Sequence, residues 1–155
     1  MRRVMLIVCA CLGAIAFVAI ASAADELAQA VKERRELMDD VVRPGAKLGG
    51  DMIKGTIPFD GAKAAAAMLK ISDVPETYVT LFPAGSQVDA VPDSEASPKI
   101  WEDFDGFKKL AQKLEDTSTA AAKAAEQGQV QFKTAFGDMT KVCKECHKAY
   151  RVKKD

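Results

Sequence analysis

From Leu27 onward, apolar residues return every three or four positions. Leu27, Val31, Met38, Val41, Leu48 and Met52 share one stripe with Arg34 and Gly45, the spacing of an amphipathic helix. Pro44 has no N–H to offer the carbonyl of Asp40, which predicts a kink there. Gly55-Thr56-Ile57-Pro58 ends the helix. Asp60 can cap a second helix through Ala64 to Leu69, with a less regular stretch to Phe82. Residues 83–97 hold Pro83, Gly85 and Pro92 with several Ser, Asp and Ala and read as a loop. Ser97-Pro98 then places a cap and a first-turn proline before a third helix through Ile100, Phe104, Phe107, Ala111, Leu114, Ser118, Ala121 and Ala125. Gln127-Gly128 breaks it, and a fourth helix carries Phe132, Phe136, Met139, Cys143, Cys146 and Tyr150 on one stripe. No segment alternates with period two, so the pattern predicts an all-α chain, an antiparallel four-helix bundle with one long connection.

The first residues follow a different rule. Arg2 and Arg3 precede an apolar run from Val4 to Ala21 that closes on Ala21-Ser22-Ala23. These are the parts of a secretory signal peptide, so residues 1–23 are expected to be cleaved, leaving a single domain over 24–155. An uncleaved anchor is the competing reading, because the run is nearly long enough to span a bilayer. Cleavage would discard Cys9 and Cys11 and leave a soluble periplasmic chain with no stable membrane insertion.

Composition narrows the chemistry. Over the whole sequence, 22 basic residues balance 22 acidic ones, so no basic field points to nucleic acid. A single histidine excludes any site built on two imidazoles. The exported domain would keep only Cys143 and Cys146, which an oxidising compartment requires to be paired, metal-bound or modified.

Cys143-Lys144-Glu145-Cys146-His147 answers that requirement. In a C-x-x-C-H run the two thiols attach haem c covalently and the imidazole takes the proximal position on its iron. On a helix all three side chains share a face, here the apolar seam. A thioredoxin-like dithiol would need a strand leading into the motif, and a structural zinc site would need a fourth ligand. Arg34 falls on the buried stripe, where a charge is costly unless paired; haem propionates would supply a partner, unless the side chain snorkels to solvent. Arg35 points outward or reaches a second carboxylate. Met38, one turn from Arg34, serves as a sixth iron ligand or as core packing, and periodicity alone does not choose. Lys141, Lys144, Lys148, Arg151, Lys153 and Lys154 crowd the last helix, as its dipole favours, or steer an acidic redox partner.

Several further segments fall in a distinctive order: Arg34-Arg35-Glu36-Leu37-Met38, Lys54-Gly55, Pro58-Phe59-Asp60, Leu81-Phe82-Pro83, Ser97-Pro98-Lys99-Ile100-Trp101, and the haem motif followed by Tyr150-Arg151 near the C-terminus. In these the chain resembles the class II c-type cytochromes, the cytochrome c′ family of bacterial periplasmic haem proteins. The resemblance implies a left-handed four-helix bundle with one haem on Cys143 and Cys146, ligated by His147. It implies a non-enzymatic electron carrier that meets redox partner proteins as a monomer or homodimer. One branch of the family is six-coordinate and low-spin, with a methionine from the first helix on the iron. The other is five-coordinate and high-spin and binds nitric oxide or carbon monoxide. Met38 matches the methionine's place, and the Lys-Ile-Trp and Leu-Phe-Pro segments look closer to the low-spin branch. Pro44-Gly45, with about one extra residue before Gly55, departs from the family's usual first helix. Phe104, Phe136 and Tyr150 are expected around the porphyrin.

Overall fold

The computed structural model describes residues 23–153. The expected signal segment, with Cys9 and Cys11, lies outside the described residues apart from Ala23, as does Lys154. Six helices account for most of the rest. The first, α1, runs unbroken over residues 23–54, but its middle, Leu37–Val42, is π-helical rather than α-helical. The others are α2 (Gly61–Ser72), α3 (Val74–Tyr78), α4 (Lys99–Glu102), α5 (Phe104–Gln127) and α6 (Gln129–Tyr150). α1, α2, α5 and α6 form the bundle, with α5 packed along both α2 and α6. Among the described residues the only β pairing is an isolated antiparallel bridge between Ala96 and Arg151. None of the described helices is long and apolar enough to cross a membrane.

Local chemistry explains the boundaries. Gly55 closes α1 in the left-handed conformation at φ 73°, where its N–H reaches the carbonyls of Asp51 and Met52. Asp60 caps α2 as expected, its Oδ1 accepting from the Lys63 N–H at 3.0 Å. The third predicted helix does not start at Pro98. A single turn, α4, follows Ser97-Pro98 and stops at Asp103, which leaves helical geometry and caps the long α5 by accepting from the Gly106 N–H at 3.1 Å. The same carboxylate accepts from the Tyr150 hydroxyl at 2.7 Å, tying the start of α5 to the end of α6. A Cβ on Gly106 would lie 2.2 Å from that carboxylate and 2.6 Å from the Tyr150 hydroxyl, so only glycine leaves room for the bond.

The predicted kink near Asp40 takes the form of the π turn. The Arg43 N–H donates to the Met38 carbonyl five residues back, and Pro44 follows with nothing to donate. A π turn holds about one more residue than an α turn. Gly45 and Met52 beyond it still face the interior, as their spacing predicts. Beyond Met38, α1 presents Val42 to the interior cavity, while Val41 is half-buried and does not line it.

The seam is filled at one end by Met52, Ala64, Met68, Ala121, Phe132 and Met139, all at most 1% exposed. Gly49 lies directly under Phe136, whose ring a Cβ would approach to 2.6 Å. Near the Tyr150 end of α6 a second cluster gathers Phe82, Ala96, Ile100, Phe107 and Tyr150. Between the two clusters the seam is hollow.

Candidate haem site

The hollow is a cavity of about 500 Å³ walled by α1, α3, α5, α6 and the loop before α4. It is within the size range of cofactor pockets. α6 contributes Cys143, Cys146 and His147, which its helical period places together on the cavity wall. α1 contributes Arg34, Arg35 and Met38, so the structure brings every sequence-predicted site residue to one space. Apolar residues such as Val42, Phe107, Leu110 and Leu114 line the rest, and Tyr150 joins them. Phe104 and Phe136 do not. Phe104 is 37% exposed, because it opens α5 just after the Asp103 cap, and Phe136 packs in the filled end over Gly49. The expectation that these two rings surround the porphyrin is corrected.

The titratable groups on the α6 wall are held neutral. Burial raises the Cys143 thiol, and burial followed by the neighbouring Cys143 pushes Cys146 up to about 11. The two sulfurs remain free of each other, since no disulfide joins them. Burial lowers the His147 imidazole from its ordinary value, and the positive charge of Arg151 lowers it further. A neutral imidazole is the form that binds a metal.

Arg34 is only 4% exposed and is held by four hydrogen bonds. One terminal nitrogen donates to the Leu81 carbonyl at 3.3 Å and the Ser86 hydroxyl at 3.0 Å. The other donates to the Ser86 carbonyl and the Ser94 hydroxyl, both at 2.6 Å. The guanidinium also stacks on Phe82, 4.7 Å from the ring centroid. Sequence reasoning gave this charge a propionate partner; the structure gives it the loop. Yet every acceptor in that set is neutral, and no carboxylate among the described residues pairs with it. Burial accordingly lowers its pKa.

Three further arginines rim the opening, each in an ion pair: Arg35 with Asp93 at 3.6 Å, Arg43 with Asp39 at 2.9 Å, and Arg151 with Glu95 at 2.5 Å. The loop that carries Asp93 and Glu95 is stitched to the chain after α6 by Ser97 N–H to Tyr150 O at 3.0 Å and Val152 N–H to Glu95 O at 2.9 Å. Ser86 and Ser94, fully buried, hold the Arg34 guanidinium, and the sequence alone did not single them out. The available signal was indirect: a buried arginine requires several acceptors, and a Ser-rich loop carries hydroxyls and free carbonyls that can serve.

The donor set therefore suits haem c: two thiols three residues apart, a neutral imidazole next to the second, an apolar cavity, and a buried cation lacking an anion. Comparison with known proteins agrees. The family model described as cytochrome C′ matches residues 29–151. The chain is 34% identical over 152 residues to cytochrome c-556 of Agrobacterium fabrum, covering 97% of this chain and 92% of that one. It is 36% identical over 143 residues to cytochrome c-554 of Cereibacter sphaeroides, covering 90% and 91%. In structure it is similar to cytochrome c prime from Shewanella frigidimarina, with a TM-score of 0.74 and 30% identity over 82% of this chain and 97% of that one. With motif, cavity and relatives in agreement, the chain belongs to the cytochrome c′ family, the class II c-type cytochromes, which carry electrons on covalently attached haem c.

Proposed function

We propose that this protein is an exported, periplasmic one-electron carrier in which Cys143 and Cys146 hold haem through thioethers, His147 is the proximal iron ligand and Met38 the sixth. It turns over no substrate, and its partners are redox proteins. The observation that carries this reading is that Met38 of α1 and His147 of α6 face one cavity, so a thioether and an imidazole approach the same space from different helices. Bound haem supplies an iron that accepts and returns a single electron, and Met/His ligation raises its potential.

The chain's own residues do the remainder. Phe107, Leu110 and Leu114 exclude water from the cavity, which favours the less charged, reduced state. Arg34 is preset by the loop, so its charge meets a propionate without having to be ordered at that moment. Arg35 stands at the mouth, half-exposed, where it can leave Asp93 for the second propionate. The pre-existing ion pairs make that exchange inexpensive, because exposed pairs contribute little.

Absorption spectra of the purified protein, oxidised and reduced, with and without carbon monoxide, test the reading. Met ligation gives a low-spin reduced spectrum, a sulfur-to-iron band when oxidised, and no response to the gas. Met38→Ala is expected to abolish that band and turn the spectrum high-spin. A wild-type protein that is high-spin and binds carbon monoxide would instead establish the gas-binding reading, with Met38 as a wall of an open distal pocket.

A further inference from the structure

We propose that the Tyr78 hydroxyl is a haem-binding donor, which meets the same propionate as Arg34 and holds that carboxylate in its ionised form. This rests on haem occupying the cavity with a propionate at Arg34, and it is independent of what Met38 does. Tyr78 is the last residue of α3, a short helix whose Val74 and Pro75 are buried. Val74 and Tyr78 are one turn apart and share a face, and with Pro75 they line the cavity. The phenol ring packs against two others. Its centroid is 5.2 Å from that of Phe82, edge-on at 72°, and 6.3 Å from that of Phe107. Phe82 also carries the Arg34 guanidinium, 4.7 Å from its ring centroid. One aromatic ring thus holds the cation of α1 and the phenol of α3 at the same corner of the cavity.

The hydroxyl there lacks an acceptor. Among the described residues, the one side-chain oxygen sealed in the interior without a partner is that of Ser118, so the equally unpartnered Tyr78 oxygen opens on the cavity. A phenol buried without an acceptor is costly, which favours a cavity occupant that offers one. Haem offers few. Its pyrrole nitrogens are taken by iron and its macrocycle is apolar, so its propionates are its strong acceptors, and a hydrogen bond to an ionised carboxylate is a strong one. Arg34 marks where a propionate comes. Its four hydrogen bonds reach neutral oxygens only, and its Nε–H makes none among the described residues.

The surrounding charges leave Tyr78 a donor. Those around the phenol are Cys146 of α6, Arg34 of α1, Arg151 just after α6, and Glu95 of the loop. Burial above all, then Cys146, pushes the phenol up to about 12, while Arg34 opposes the rise. Tyr78 is therefore protonated across the neutral range. Glu95 and Arg151 are paired with each other at 2.5 Å, and Cys146 no longer titrates once it is a thioether. Arg34 and Tyr78 remain, one charge and one O–H for one carboxylate. Both favour the ionised propionate and lower its pKa. Negative charge near iron favours the oxidised state, so the midpoint potential steps down as the propionate ionises with rising pH. Tyr78 helps set the pH of that step.

The test compares three haem-loaded proteins: wild type, Tyr78→Phe and Arg34→Met. Phenylalanine keeps the ring against Phe82 and Phe107, and a thermal melt by circular dichroism checks that each variant is folded. Midpoint potential is followed against pH, and the propionate bending bands are read by resonance Raman. Tyr78→Phe is expected to move one potential step to higher pH by about one to two units, the size of a hydrogen bond to a charged group. It should shift one propionate band as well, and Arg34→Met should move the same step and the same band. If Arg34→Met moves them and Tyr78→Phe moves neither, the proposal is overturned and the phenol's acceptor is water. If the two variants move different bands, they serve different propionates and the sharing is overturned. If neither variant moves a band, the assignment of Arg34 to a propionate fails with it. The comparison reads the same in a high-spin or a low-spin haem, so a failure of Met38 as ligand leaves it standing.

Discussion

The two ends of the bundle seam share α1, α5 and α6, yet one is solid and the other hollow. At the solid end large side chains face small ones: Phe132 and Met139 meet Ala64, Ala121 and Ala125, and Phe136 sits over Gly49. Helices approach closely there and the space closes. At the hollow end the large rings pack with one another instead. Phe107 lies 4.8 Å from Phe82 and 5.4 Å from Tyr150, centroid to centroid, forming a wall rather than a plug. The solid end holds the helices in register, and the hollow end spends that register on placing a cysteine pair, an imidazole, a thioether and a guanidinium around one space. Stability and function are thus separable along a single seam.

Substitutions can break that separation or sharpen it. The largest effect expected is at the hollow end. Replacing Cys143 and Cys146 together by Ser removes both attachment points, so haem staining after denaturing electrophoresis should disappear entirely. A surviving stained band would remove the two sulfurs from the site. Next comes the solid end. Phe132→Ala is expected to destabilise the fold by about 3–5 kcal/mol in denaturant unfolding. The absorption spectrum should not change, and an altered spin state would show that the two ends are coupled.

Arg34→Met is intermediate, because it strands buried acceptors on the loop at about 1–3 kcal/mol. It also removes a positive charge beside the haem, so the midpoint potential should fall; an unchanged potential would make Arg34 a structural latch alone. The smallest effect belongs to Tyr150→Phe. Burial and then the Asp103 carboxylate push the Tyr150 hydroxyl up to about 12. The folded state therefore favours the protonated phenol. That contribution is full below the ordinary tyrosine pKa of about 10 and is lost as pH rises toward 12. Alkaline melts should show the variant losing less stability over that window than wild type.

Much of this was readable in advance, residue by residue. The stripes on α5 from Phe107 onward and on α6 survive because those helices are regular, and the spacing of Cys143, Cys146 and His147 maps onto one face wherever the helix lies. Asp60 caps α2 because capping is a local event. Asp103 is not singled out by pattern because Ser97-Pro98 offers an equally good local start; the structure uses both, and Asp103 also accepts from Tyr150, 47 residues away. Val41 is half-buried but does not line the cavity, where Val42 stands, because residues three and four from Met38 fall on either side of one face and periodicity does not choose between them. Phe104 and Phe136 were assigned to the haem pocket because their stripe is shared by both ends of the seam. Period shows which face is inward and is silent about where along it the interior is empty.

What the sequence determined by itself is therefore whatever depends on neighbours in the chain: the four bundle helices, the cap at Asp60, their inward faces and the chemistry of the haem motif. What tertiary structure alone decided is whatever depends on two distant segments meeting. Arg34 turned to Ser86 and Ser94 because the loop, stitched to the end of α6, carries their acceptors to it. Met38 faces His147 across one cavity because α1 and α6, far apart in the chain, pack on either side of it. Local propensity sets a helix's period, but only long-range anchors set its phase, and phase is what points a side chain at the site.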